Sequence, residues 1–296
     1  MAIGKLFHII HLTGDLAELD AWYDAVFAPQ RGFLDNHYLD SEKRDASLII
    51  IGDAVVEPLA PAFRVAGWQV TPIGKFYQRF GQHWHSIAWY SDDTGALWDG
   101  LKAAGVRVYV NGGFVATERP SDEAIMTHPK DTIAQLEFMK RPDGFDPRFA
   151  DGFNPHRWST EHPLTLEYLG STSVVTRDLD RAKRIYLDAL GGTLLQEIDV
   201  PLTRTRSAFV RLGDTVVELA RPTGDGLAAA DLEANGEIHH SATWKVRDLA
   251  AAQQHLESKN VKIIDGDDHT LIAAPETTHG APMRFTDRAV PGDPRG

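Results

Sequence analysis

His83-Trp84-His85-Ser86-Ile87-Ala88-Trp89-Tyr90-Ser91-Asp92-Asp93 decides how this chain is read, because it recurs without a gap as His239-His240-Ser241-Ala242-Thr243-Trp244-Lys245-Val246-Arg247-Asp248. His85, Ser86, Trp89 and Asp93 return as His240, Ser241, Trp244 and Asp248, each 155 residues later. A second pair of anchors has almost the same offset. Gly52-Asp53-Ala54-Val55-Val56-Glu57 returns as Gly213-Asp214-Thr215-Val216-Val217-Glu218, and Asp15 returns as Asp178. Anchors this consistent mark an internal repeat and predict two similar halves.

Working outward, each half holds the same order of elements twice. Leu6 to Leu12 is an apolar strand bearing His8 and His11, and Thr13-Gly14-Asp15 supplies a turn and a helix cap. Leu16, Leu19, Trp22, Tyr23 and Val26 then recur at helical spacing through Phe27. After a polar connection, Ala46 to Ile51 and Ala54 to Leu59 form a hairpin about Gly52-Asp53, with Glu57 inside an apolar run. Residues 60 to 82 read as a connection with a helical turn at Gly74 to Phe80. The unit then restarts, with His85 to Tyr90 a strand, a helix through Ala104, the strand Val106 to Val110, a loop or meander over 111 to 126, and a closing strand Thr132 to Met139 carrying Glu137. The Pro- and Gly-containing, charged stretch 141–163 reads as an interdomain linker. Beyond it the strand Leu169 to Val175 opens the second half. The expected division is a first domain over 1–140, a linker over 141–163, a second domain over 164–289 and a tail over 290–296.

Composition narrows the chemistry. The chain has 296 residues, 43% of them hydrophobic, enough for two cores, and a net charge of −12 with no basic run. Nucleic acid is therefore not an expected partner, and a CoA substrate, whose phosphates favour a basic patch, gains no support. There is no cysteine, so any metal must be held by His and carboxylates. No apolar run approaches the length of a membrane span. A soluble, cytoplasmic protein is expected.

The His-bearing strand, the turn ending in Asp-Leu, the helix with Trp22-Tyr23 and the Gly-Asp hairpin ending in Val-Val-Glu resemble the vicinal oxygen chelate superfamily. This group includes glyoxalase I, methylmalonyl-CoA epimerase, extradiol dioxygenases and the bleomycin and fosfomycin resistance proteins. His128-Pro129-Lys130-Asp131-Thr132, ahead of Leu136-Glu137-Phe138, looks most like the epimerase and glyoxalase branch. The resemblance implies an α+β fold of tandem paired βαβββ modules, each domain an eight-stranded cup of mixed sheet flanked by helices. It also implies one divalent metal per chain, held by His8, Glu57, His85 and Glu137. The matching positions of the second half are Ser171, Glu218, His240 and Arg284. A guanidinium cannot ligate a metal and an alcohol ligates poorly, so the second site is expected to be degenerate.

Three points stay open in the sequence. His8 precedes Asp15 by seven residues, whereas His85 precedes Asp93 by eight and Asp92 by seven, and one residue of slip turns a strand side chain to the other face. Either a β-bulge intervenes or Asp92 is the equivalent of Asp15, with His83 in reserve. Glu57, matched by Glu218 in the degenerate half, is either ligand, base or structural residue. Arg284 either binds an anionic group or pairs with Glu218.

The function implied is a metal-dependent isomerase or lyase of the glyoxalase/epimerase type. A Zn, Ni, Co or Mn ion would polarise a small-molecule substrate with vicinal oxygens, with Glu57 or Glu137 taking the proton alpha to a carbonyl. The alternatives are an Fe(II) extradiol-type dioxygenase using His8, His85 and Glu137, and a non-catalytic small-molecule binding or resistance protein. Exchange of modules between chains, as in a homodimer, would redistribute these ligands.

Overall fold

A computed structural model describes residues 3–110, 113–121 and 124–296. Residues 111, 112, 122 and 123, in the loop read over 111 to 126, lie outside the described residues, as do the first two of the chain. The first module runs β1 (Ile3–Leu12), α1 (Leu16–Phe27), β2 (Gln30–Leu39), β3 (Arg44–Ile51) and β4 (Ala54–Pro61). The second, after α2 (Pro72–Phe80), is β5 (His83–Ser91), α3 (Thr94–Ala103), β6 (Val108–Val110), β7 (Phe114–Val115), β8 (Ile125–Thr127), the short α4 (Pro129–Thr132) and β9 (Gln135–Met139). A single turn, α5 (Arg157–Thr160), precedes the third: β10 (Leu166–Val175), α6 (Leu179–Lys183), β11 (Thr193–Val200), β12 (Thr205–Leu212) and β13 (Thr215–Pro222). The fourth follows α7 (Leu227–Asn235) as β14 (Ile238–Val246), α8 (Leu249–Ser258), β15 (Ile263–Gly266), β16 (Thr270–Ala273) and β17 (Met283–Thr286).

Two mixed sheets result, ordered β2-β3-β4-β1-β5-β9-β8-β6-β7 and β11-β12-β13-β10-β14-β17-β16-β15. In each, the first strands of two modules lie side by side and antiparallel, and each pairs in parallel with the last strand of its own module. This is the α+β paired-module fold expected from the repeat. The polar stretch read as a connection is in fact the edge strand β2. Its sequence, Gln-Arg-Gly-Phe-Leu-Asp-Asn-His-Tyr-Leu, lacks the apolar alternation that marks a half-buried strand.

The helices start where the sequence places their caps. Asp15, Asp93, Asp178 and Asp248 each sit at an N-cap and accept a backbone N–H three residues on. Asp93, not Asp92, is therefore the equivalent of Asp15. The register supplies the missing residue. Ile9 faces Ile87 and His11 faces Trp84, so His85 and Ser86 lie together opposite Ile10 in a β-bulge. The second half repeats this, with Ser173 opposite Ser241 and Val174 opposite His239, which leaves His240 as the extra residue.

The recurrence of Gly-Asp has a cause beyond the hairpin. Gly52 and Gly213 take φ of +60° and +63°, and each turn rests on the first strand of the other half. A Cβ on Gly213 would stand 1.9 Å from the Gly4 carbonyl oxygen. The adjoining carboxylates accept reciprocal backbone bonds, Asp53 from Leu169 N at 3.0 Å and Asp214 from Leu6 N at 2.7 Å. One apolar core runs through both halves, joining Leu19, Phe27 and Trp89 to Tyr186, Trp244 and Phe285.

The connecting stretch 141–163 is itself packed. Trp158 is buried with its indole N–H on the Phe27 carbonyl. Arg148 and Asp146 pair with fully buried side chains, and the guanidinium also reaches the carbonyls of Phe7 and Asp53.

Candidate functional site

The four residues expected to hold a metal come from four adjacent strands, β4, β1, β5 and β9, and share the concave face of the first sheet. Ala88 faces His8 on one side and Glu137 on the other, while Glu57 lies beside Ile10. Alternation along β1 puts His8, Ile10 and Leu12 on this face and sends His11 to the helical side, where its Nδ1 meets the Tyr23 hydroxyl at 2.8 Å. His85 would point the wrong way in a regular strand. The bulge turns it into the cup, where its ring packs 4.5 Å from that of Phe76 on α2.

His8 is the centre of the arrangement. It is buried, its Nδ1 lies 3.3 Å from Glu57 Oε2, and its Nε2 lies 3.9 Å from Glu137 Oε2. Neither nitrogen has a hydrogen-bond partner, and neither does Nδ1 of the buried His85. Burial lowers the pKa of His8 to about 4, against the pull of Glu137, and that of His85 to about 3. Both imidazoles are neutral at pH 7, the form that ligates a metal. Glu137 is fixed through Oε1 by the Ser86 hydroxyl at 2.7 Å and by Gln135 Nε2 at 3.0 Å, which leaves Oε2 toward His8.

Glu57 has a partner that the sequence does not announce. Arg44, at the start of β3, donates to Glu57 Oε1 at 2.5 Å and to Glu42 Oε2 at 2.6 Å. Burial still raises the Glu57 pKa, with the guanidinium opposing the rise. Among the described residues no three His or carboxylate groups are drawn in closely enough to hold a metal as they stand. The donor set nevertheless fits one. Two neutral imidazoles with orphaned, buried nitrogens and two carboxylates share one face, and a metal ligand is a standard partner for such groups.

In the second cup the register puts Ser171 where His8 stands, Glu218 for Glu57, and Arg284 for Glu137. Arg284 spans the space a metal would take and pairs with buried Glu218, which also accepts from the hydroxyls of Ser173 and Ser207. Desolvation of Glu218 is outweighed by Arg284 and these hydroxyls, so its pKa falls below the usual range. His240 donates its Nδ1–H to Asp231 at 2.6 Å, and the other oxygen of Asp231 lies 3.3 Å from His83 Nε2. His83 thus serves the junction of the two halves. His128 is the cap of α4, accepting from Lys130 N at 3.1 Å, while His239 Nε2 meets the Thr172 hydroxyl at 2.5 Å.

Arg44 and Asp231 are the functional neighbours that periodicity misses. Comparison of the halves offers a signal for the first, since Arg44 pairs with Pro61 as Thr205 pairs with Pro222, an Arg where its counterpart is an alcohol. Asp231 lies on a connecting helix outside the repeated units and has no such signal.

The fold and the relatives of the sequence place the chain in a known class. The pattern of the Glyoxalase/Bleomycin resistance protein/Dioxygenase superfamily matches residues 168–288. An ethylmalonyl-CoA/methylmalonyl-CoA epimerase of Cereibacter sphaeroides is 31% identical over 120 residues, 40% of this chain and 85% of that protein. The chain belongs to this superfamily, the vicinal oxygen chelate group. The mitochondrial methylmalonyl-CoA epimerase of Mus musculus is 31% identical over 123 residues, and the match spans 65% of its length and 40% of this chain. A variant of 4-hydroxymandelate synthase from Streptomyces coelicolor shares the fold over 98% of this chain and 94% of its own, with a TM-score of 0.70 at 12% identity. Among the described residues no helix is long and apolar enough to cross a membrane.

Proposed function

We propose that the chain is a metal-dependent enzyme acting, in its first cup, on a small molecule that presents two neighbouring oxygens. The observation that supports this is His8, a buried imidazole with both nitrogens unpartnered between two carboxylates. Burying such a group bare costs roughly 2 to 7 kcal/mol, which coordination offsets. His8 Nε2, His85 and Glu137 would hold the ion. Glu57 Oε2 stands 3.3 Å from the other nitrogen of His8, which makes it an outer carboxylate rather than a ligand.

A metal held there would supply Lewis-acid polarisation to two neighbouring substrate oxygens. The residues of the chain do the rest. Glu57 Oε2, with a proton affinity raised by burial, takes the proton alpha to the carbonyl, while Arg44 holds its other oxygen in place. Ser86 and Gln135 fix Glu137, and Phe76 closes the cup over His85. The epimerase relatives favour this isomerase chemistry.

A second reading rests on the Arg44 to Glu57 ion pair. The guanidinium weakens Glu57 as a base, and the ligand set shared with the first reading, two imidazoles and one carboxylate, also suits Fe(II) and O2. Elemental analysis of protein purified without added metal, repeated on His85→Ala and Glu137→Ala, separates the two. About one Zn, Ni, Co or Mn per chain, lost in both variants, supports proton transfer, to be followed by deuterium exchange alpha to a carbonyl. Iron with O2 uptake supports the dioxygenase. No metal in any preparation, even after reconstitution, overturns both.

A further inference from the structure

The second cup lacks metal ligands, yet it encloses a cavity of about 220 Å³ between β13, β14, β17 and the start of α7. Its walls are mostly apolar, with Leu227, Ile272 and Met283 prominent among them, and its polar lining includes Glu218, His240 and Arg284. Cavities of about 150 Å³ lined by apolar side chains take up a benzene molecule. This one has room for a single ring with a short substituent.

Three nitrogens in the polar lining are unspent, one of them the buried Nε of Arg284. Arg284 directs Nη2 to Glu218, Ser173 and Ser241, and its Nη1 has no partner among the described residues. His240 commits Nδ1–H to Asp231, which fixes the tautomer and leaves Nε2 as an acceptor without a partner among the described residues. The interior thus offers a guanidinium as donor and one imidazole nitrogen as acceptor. The guanidinium is neutralised by buried Glu218 and the Asp231 carboxylate stands behind His240, while Arg204 and Asp265, exposed in the lining, are opposite in charge, so no positive charge is left over for an anion. An anionic ligand would bring a second carboxylate to the Arg284 guanidinium beside buried Glu218, at a cost that one further hydrogen bond does not offset.

We propose that the second cup is a metal-independent binding site for a small neutral molecule of one-ring size. The ligand presents a carbonyl oxygen to Arg284 and an N–H or O–H to His240. The site does not depend on chemistry in the first cup, and it gives the degenerate half a role of its own.

Benzamide and benzoate test this, being matched in size and opposite in the property that matters. The full chain, stripped of metal with a chelator so that the first cup contributes no ligation, is titrated with each while the Met283 methyl resonance is followed by NMR. Benzamide is expected to shift it saturably, with benzoate at least about tenfold weaker. Ala220→Leu, which fills the cavity from β13, is expected to abolish the benzamide shift. Ala228→Leu on α7 serves the same end if the first variant does not fold. No saturable shift with benzamide, equal or tighter binding of benzoate, or binding that survives the filled cavity would each overturn the proposal.

Discussion

The two cups solve the same problem in opposite ways. Each buries a glutamate at the same register position, Glu57 in the first and Glu218 in the second, and each must neutralise it. The first cup brings Arg44 from β3, at the rim, and so leaves the position on the last strand to Glu137. The second brings Arg284 from the last strand itself, putting a covalently attached cation at the register position that Glu137 takes in the first cup. One ion pair lies beside the site and the other replaces it. Duplicated modules can therefore keep every backbone register and exchange chemistry by moving a single positive charge between strands.

The largest expected effect comes from undoing that move. Installing Ser171→His and Arg284→Glu together should leave the second cup with two imidazoles and two carboxylates. Without metal the facing carboxylates repel, and the double variant should unfold several degrees below wild type. Added Zn should restore its Tm and raise the metal content toward two per chain. A double variant indifferent to Zn would break the equivalence of the cups.

Removing one partner tests each of the two ion pairs directly. Glu218→Gln leaves Arg284 buried and uncompensated, and a loss of about 3 to 5 kcal/mol is expected in denaturant unfolding. Arg44→Met in the metal-free protein should cost less, because the Arg44 side chain is 17% exposed and Glu57 can take up a proton. Equal losses would show that the rim pair is as buried, in energetic terms, as the central one.

The cups should also part company with pH. His8 and His85 have folded pKa values lowered from 6.5 to about 4 and about 3. Their contribution to stability is present above pH 6.5 and is lost as pH falls toward those values, because the unfolded chain takes up protons first. In the folded metal-free protein both rings stay neutral to about pH 5, so metal affinity should lack the fall near pH 6.5 that unperturbed histidines would impose. Equilibrium dialysis between pH 8 and pH 5 measures this, and a tenfold loss per unit beginning at 6.5 would count against it. Glu218, with its pKa depressed, adds stability above about 4.5 that is lost only below that value. Glu57, with its pKa raised, runs the other way. The metal-free protein gains from its protonation as pH falls toward 4.5, and Glu57→Gln should remove that gain from the stability profile.

The smallest effect is expected at matched serines. Ser86→Ala removes a hydroxyl from Glu137 and should weaken metal binding about tenfold, with stability changed by no more than about 1 kcal/mol. Ser241→Ala, its counterpart, loses a 3.3 Å contact to Arg284 and should leave first-cup metal affinity unchanged. Isothermal titration on both variants provides the comparison.

The sequence alone determined much of this architecture, because repetition is a local signal. The recurrence of His-Ser, Gly-Asp and the capping aspartates specifies four modules and pairs Glu57 with Glu218 and His85 with His240, and the family resemblance adds His8 with Ser171 and Glu137 with Arg284, the correspondence the strand registers show. The sequence also contained the extra residue between His85 and Asp93. It could not say whether a bulge or a shifted cap absorbs it, since both leave the same spacing. Edge strand β2 was hidden for a related reason: its partner lies on one side only, and its composition reports solvent rather than pairing. Only the tertiary structure decided what the polar groups do. Arg44 reaches Glu57 across a hairpin, Asp231 joins His83 and His240 across the junction of the halves, and the Gly-Asp turns clasp each other's first strands. These contacts link residues far apart in the chain. Periodicity reports which face a residue takes, whereas the partner of a buried charge depends on which strands the fold places side by side.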